Sequence, residues 1–142
     1  MYKKINKLIK KGGYMLISII FIFSALLFYT TSIFTEKFVV GHLKLWILYL
    51  FGSGFICDLV GTSLMFYQAE HRLSFTLHSG CGYMALFIML AHFIWAIKAI
   101  RRVGKYQYYF TKFSIYAWIV WMAAFVSGIP KVSSTIVSWL SL

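Results

Sequence analysis

Acidic residues are nearly missing from this chain. Glu36, Asp58 and Glu70 are the only three among 142 residues. An aspartic, serine or carboxylate-pair hydrolase is hard to assemble from so few carboxyls. Charged residues of both signs make up 12%, about half the usual share. Cysteine is scarce too. Cys57 and Cys81 both fall inside apolar runs, with no CxxC pair, so neither a disulfide framework nor a zinc site is indicated. Proline occurs once, at Pro130.

Apolar side chains fill the space left. They make up 61% of the chain, against roughly 45–50% in ordinary globular proteins, and the mean hydropathy is +0.80. A chain this small has too little interior to hide them from water. The formal net charge of +11 does not indicate nucleic acid, because the basic residues sit between long apolar runs and form no water-facing patch. The remaining class is an integral membrane protein with little outside the bilayer.

Four runs are long enough to cross as helices, which takes about 20 residues. They cover approximately 14–34, 43–67, 73–100 and 110–130, behind a basic N-terminal tail, 1–13. Each is too long for a barrel strand and lacks the alternation such strands need. No small-residue cleavage site follows the first run, so it reads as an uncleaved helix. The connections Thr35–His42, Gln68–Arg72 and Arg101–Tyr109 are short. Short connections make antiparallel neighbours, so the expected fold is an all-α, four-helix, up-down membrane bundle forming a single domain. Pro130, after Gly128, is expected to end or kink the fourth helix and leave an apolar tail.

Orientation should follow from Lys and Arg. One side holds Lys3, Lys4, Lys7, Lys10, Lys11, Arg72 and Lys131. The other holds Lys37, Lys44, Lys98, Arg101, Arg102, Lys105 and Lys112. The split is seven against seven, so the rule names no side.

Ionisable groups at membrane depth are functional candidates by default. Of four histidines, His42 and His71 fall at span ends, while His78 and His92 lie inside the third span. Fourteen residues is nearly four helical turns, so His78 and His92 share a face about 21 Å apart. One imidazole near each leaflet is the layout of membrane b-type cytochromes with two haems. Ser74, His78, Cys81, Ala85, Met89, His92 and Ala96 form a mostly small seam, flanked by Gly80 and Gly82. A second small stripe is Ser53, Cys57 and Gly61, beside Gly52 and Gly54. Close helix packing explains small stripes alone; two imidazoles on the seam favour a flat cofactor, one haem b or two.

Arg72, Lys98 and Arg101, with Arg102 and Lys44, lie where haem propionates would turn, and they also suit plain interfacial anchoring. The second axial ligand is open: His42 for His92, and Met65, His71 or none for His78. Asp58 is mid-span. It either orients an axial imidazole, bonds Thr62 or another hydroxyl, or lies on a proton or cation path. Tyr29 and several other aromatics are expected in the interfacial belt, and Trp118, Trp121 and Phe125 at lipid, in packing or on a haem pocket wall.

The stretches FGSGFICDLVGTSLM (Phe51–Met65), LHSGCGYMALFIMLAHFIWAIK (Leu77–Lys98), KFSIYAWIVW (Lys112–Trp121) and SGIP (Ser127–Pro130) resemble the HsmA family of small bacterial membrane proteins, named for haem-sensing membrane protein A. The ordered motifs are D-x-x-G-T, H-x13-H followed by W-A-I-K, and S-G. The resemblance implies haem binding in the cytoplasmic membrane and protection against haem toxicity and oxidative stress, and it carries over Asp58, Thr62, His78 and His92. A quinone or other electron partner and a homodimer are compatible with it. The rival reading is a haem-free transporter or proton-coupled protein that uses Asp58 and the intramembrane histidines.

Overall fold

The computed structural model describes residues 2–68, 77–102 and 104–141. The chain forms α1 (Tyr2–Phe34), a π-helical turn (Thr35–Val40), α2 (Leu45–Gln68), α3 (Leu77–Arg101) and α4 (Lys105–Leu140). Four helices are long and apolar enough to cross a membrane, and the described chain has no strand. The molecule is an all-α four-helix bundle and, by span length and composition, a multi-pass membrane protein.

The helices run past the apolar spans. Helix α1 is unbroken from Tyr2, so the basic tail is helical ahead of a span that begins at Gly12. The third connection is shorter than expected, since α4 already begins at Lys105. The fourth helix passes through Pro130 and continues to Leu140. Proline removes one hydrogen bond and its ring crowds the preceding turn, but long transmembrane helices tolerate it because local adjustments satisfy the freed groups.

Helix α1 packs chiefly on α2, and α3 on α4. The α1–α2 pair closes over glycines. A Cβ at Gly54 would lie 3.0 Å from both Phe28 Cβ and the Tyr29 ring. One at Gly61 would lie 2.8 Å from the Ile22 side chain and 3.2 Å from the Ser18 carbonyl. These positions of the α2 stripe let two backbones approach, as small residues do in lipid. The main core gathers Ala25, Tyr29 and Ile33 of α1, Phe51 and Phe55 of α2, Ala85 and Met89 of α3, and Ala117, Trp121 and Ala124 of α4. A smaller cluster at the α3–α4 turn holds Leu43, Ile47, Ala96, Ala99 and Phe110. Leu, Ile, Val and Phe side chains cover the outside: Leu16, Leu27, Ile56, Phe87 and Val137 are all more than half exposed. That surface suits lipid and not water.

Between α1 and α2 the chain turns at Gly41, whose φ of 74° is left-handed, where a side chain would be strained. The preceding π-helical turn rotates Glu36 inward, leaving it 1% exposed.

Candidate functional site

Polar residues of α4 reach ionisable groups from the other helices at four depths. At the α3–α4 end, Thr111 donates to Glu36 Oε1, and Lys37 Nζ donates to the Thr111 carbonyl at 3.3 Å. Oε2 of Glu36 is buried without a hydrogen-bond partner. One turn further in, His92 meets Ser114, and its ring stacks on Phe110 with centroids 4.4 Å apart. Mid-bundle, Asp58 is gripped by Trp121 Nε1 at 2.8 Å and, more loosely, by Tyr29 and Thr62 hydroxyls at 3.4 Å each. At the far end, His78 meets Ser127.

Asp58 is 4% exposed and faces the interior, as an intramembrane carboxyl should. Its described partners are hydroxyls and an indole, so it does not orient an imidazole here. Of the roles left open for it, bonding to Thr62 and another hydroxyl matches the contacts, with the Trp121 indole added. Tyr29 is fully buried and does not belong to the interfacial belt. The π-helical turn lengthens the first span to Val40, which places Tyr29 well inside it. Trp121 is likewise interior, and Trp118 Nε1 bonds Thr30 at 3.1 Å. An indole N–H or phenol inside a bilayer needs an acceptor, so a mid-span Trp beside a mid-span Asp was the available signal for this pair. Glu36 was missed because an acid beside Lys37 at a span end looks interfacial.

The two α3 histidines both face α4, but they use different ring nitrogens. Ser127 donates its hydroxyl proton to the Ala124 carbonyl at 2.7 Å. Its oxygen therefore accepts from His78 Nδ1–H, 2.9 Å away. In a neutral ring this leaves the lone pair on Nε2. Ser114 likewise donates to the Phe110 carbonyl at 2.8 Å, so it accepts from His92 Nε2–H at 3.0 Å. The lone pair of His92 then lies on Nδ1, the nitrogen nearer the backbone.

Space divides the two positions as well. His92 is 4% exposed and enclosed by Phe110, Phe51 at 5.7 Å and Trp95 at 6.4 Å. His78 is half-buried. Its ring edge meets α4 at Gly128, where a Cβ would fall 2.8 Å from Cε1 and 3.3 Å from Nε2. One turn along the same face of α3, a Cβ at Gly82 would meet nothing within 4 Å, and Gly80 is equally open. These two glycines are therefore not packing contacts, unlike Gly54 and Gly61.

The other expected positions are less engaged. His42 is exposed, with Nδ1 3.0 Å from the Val40 carbonyl, and the structure does not pair it with His92. Lys98 and Arg101 are exposed in the last turn of α3. Cys81 is exposed, off the buried part of the seam, which runs through Ala85, Met89, His92 and Ala96. Arg72, His71 and Ser74 lie outside the described residues. Among the described residues no three His, Cys, Asp or Glu side chains gather as a metal cluster.

No family model matches the chain, and no curated protein or solved structure matches it.

Proposed function

We propose that this chain binds haem b within a bacterial cytoplasmic membrane, with His78 as the protein ligand to the iron. The observation that carries this is the His78–Ser127 hydrogen bond. A metal-binding histidine usually donates its second N–H to an oxygen, which fixes the tautomer and leaves the lone pair on the other ring nitrogen. Ser127 does this for His78, Gly128 seats the ring, and Gly82 leaves open space beside it. The donor chemistry at that end fits one haem held by one imidazole. Arg72, which follows from the connection next to this end of α3, is the sequence's candidate for the propionates.

A second haem on His92 fits less well, since the ring nitrogen it would use faces Ser114 as a donor and aromatic rings enclose it. His92 is better read as a structural link between α3 and α4. Bound haem would supply a one-electron redox centre, with peroxide or oxygen chemistry where one axial position stays open. The resemblance to the HsmA family supports haem capture and protection against oxidative stress as the purpose, and a quinone-linked reductase is the enzymatic variant.

One observation favours the rival. Glu36, His92 and Asp58 stand at successive depths against Thr111, Ser114 and Trp121 of α4, an arrangement suited to a proton relay. An absorption spectrum separates the two readings. Protein purified after expression with ample haem should show a Soret band near stoichiometric intensity. A colourless protein leaves the proton-coupled reading standing.

A further inference from the structure

A groove opens on the outer face of the bundle where α3 meets the start of α4. Ala91, Ile94, Trp95 and Lys98 line it from α3, and Tyr106 closes it from α4, around a volume of about 260 Å³. The four α3 residues are spaced as one helical stripe. This stripe lies beside, and apart from, the buried stripe of Ala85, Met89, His92 and Ala96. The groove is therefore separate from the haem position at His78, and it faces lipid.

One cation, Lys98, lines the groove, and the chain just beyond it is basic. Lys98, Arg101, Arg102 and Lys105 fall within eight residues and all are exposed. Glu36 is turned inward onto Thr111 and Asp58 lies mid-bundle, so neither acid offsets these charges. A neutral quinone head group would call for one or two donors. A lysine in an apolar trough, with three more exposed cations in the next seven residues, calls for a phosphate with a hydrocarbon chain attached. Trp95 and Tyr106 supply the amphipathic rings that sit at head-group depth, and Lys98 reaches up from the trough towards the interface. Basic pockets between transmembrane helices bind anionic lipid head groups in this way. We infer that the groove at Lys98 and Tyr106 is a binding site for one anionic phospholipid, its phosphate on Lys98 and the Arg101–Arg102 pair and an acyl chain along Ala91, Ile94 and Trp95.

The test uses the full chain in nanodiscs of phosphatidylcholine containing phosphatidylglycerol, followed by extraction into mild detergent and native mass spectrometry. One phosphatidylglycerol per chain should be retained over phosphatidylcholine. Lys98→Gln should weaken retention about fivefold, and adding Arg101→Gln should weaken it further by a similar factor. Ala91→Phe should reduce retention with every charge kept, because it fills the trough. Lys44→Gln, at the same membrane face but outside the groove, should change little. Equal retention of both lipids would overturn the inference. So would equal effects of Lys44→Gln and Lys98→Gln, an inert Ala91→Phe, or retention of quinone in place of phospholipid.

Discussion

His78 and His92 share one helix, one face and one kind of partner, a serine of α4. Their surroundings nevertheless separate them. His92 is walled in by Phe51, Phe110 and Trp95 and gives its Nε2 proton to Ser114. His78 gives its Nδ1 proton to Ser127, lies against Gly128, and has open space one turn away at Gly82. The difference teaches that an intramembrane histidine is defined less by depth than by which nitrogen its neighbour claims. A neutral ring that donates from Nδ1 carries its lone pair on Nε2, the nitrogen farther from the backbone. A ring held by Nε2 ties two helices together.

The sharpest way to break this contrast is to remove each ring. His78→Ala should abolish most of the Soret absorbance, at least tenfold against a protein-normalised control. His92→Ala should keep most of the haem but lower thermal stability in detergent. Equal loss of haem in both variants would show that the two positions are not distinct. Next in size is Ser127→Ala, which removes the residue orienting His78. Haem affinity should fall about 10- to 100-fold, as for other partners that orient a metal ligand. Ser114→Ala should leave it nearly unchanged, with titration of apo-protein by haem as the measurement.

A smaller effect is expected at the bundle centre. Asp58→Ala strips Trp121 and Tyr29 of their acceptor, and a buried donor left unpaired costs about 2 kcal/mol. Asp58→Asn keeps an acceptor oxygen and should recover part of the loss in chemical unfolding. If haem content falls in step with Asp58→Asn while stability holds, Asp58 acts on the cofactor and not only on packing. The smallest effects compare glycines. Gly54→Ala forces a Cβ to 3.0 Å from Phe28 and Tyr29 and should destabilise by about 1 kcal/mol. Gly82→Ala meets nothing and should stabilise α3 by up to about 1 kcal/mol through helix propensity. Melting temperatures that shift in the same direction would show that the gap beside Gly82 closes in the membrane.

Much of the fold follows from local pattern. Span length, short connections and the scarcity of charge give four helices, and fourteen-residue spacing puts His78 and His92 on one face. An isolated mid-span acid points Asp58 inward without any knowledge of its neighbours. The helix ends were less legible, because α1 and α4 extend past the bilayer-length runs and Pro130 is absorbed within α4.

Which side chains meet across helices was another matter. Tyr29 and Trp121 come from the first and fourth helices to the same carboxylate oxygen of Asp58, and no spacing within one helix predicts that. Gly54 and Gly82 look alike in sequence, yet one is jammed against Tyr29 and the other open. In water, an amphipathic stripe would declare which face of each helix turns inward. In lipid the outer face is as apolar as the core, so sequence pattern carries little information about helix rotation. The amino-acid sequence determined the helices, their order and the depth of His78, His92 and Asp58. The tertiary structure alone decided the rotation and register that bring Ser127 to His78, Ser114 to His92 and Trp121 to Asp58, because those contacts depend on interhelical packing and hydrogen bonds between residues far apart in the chain.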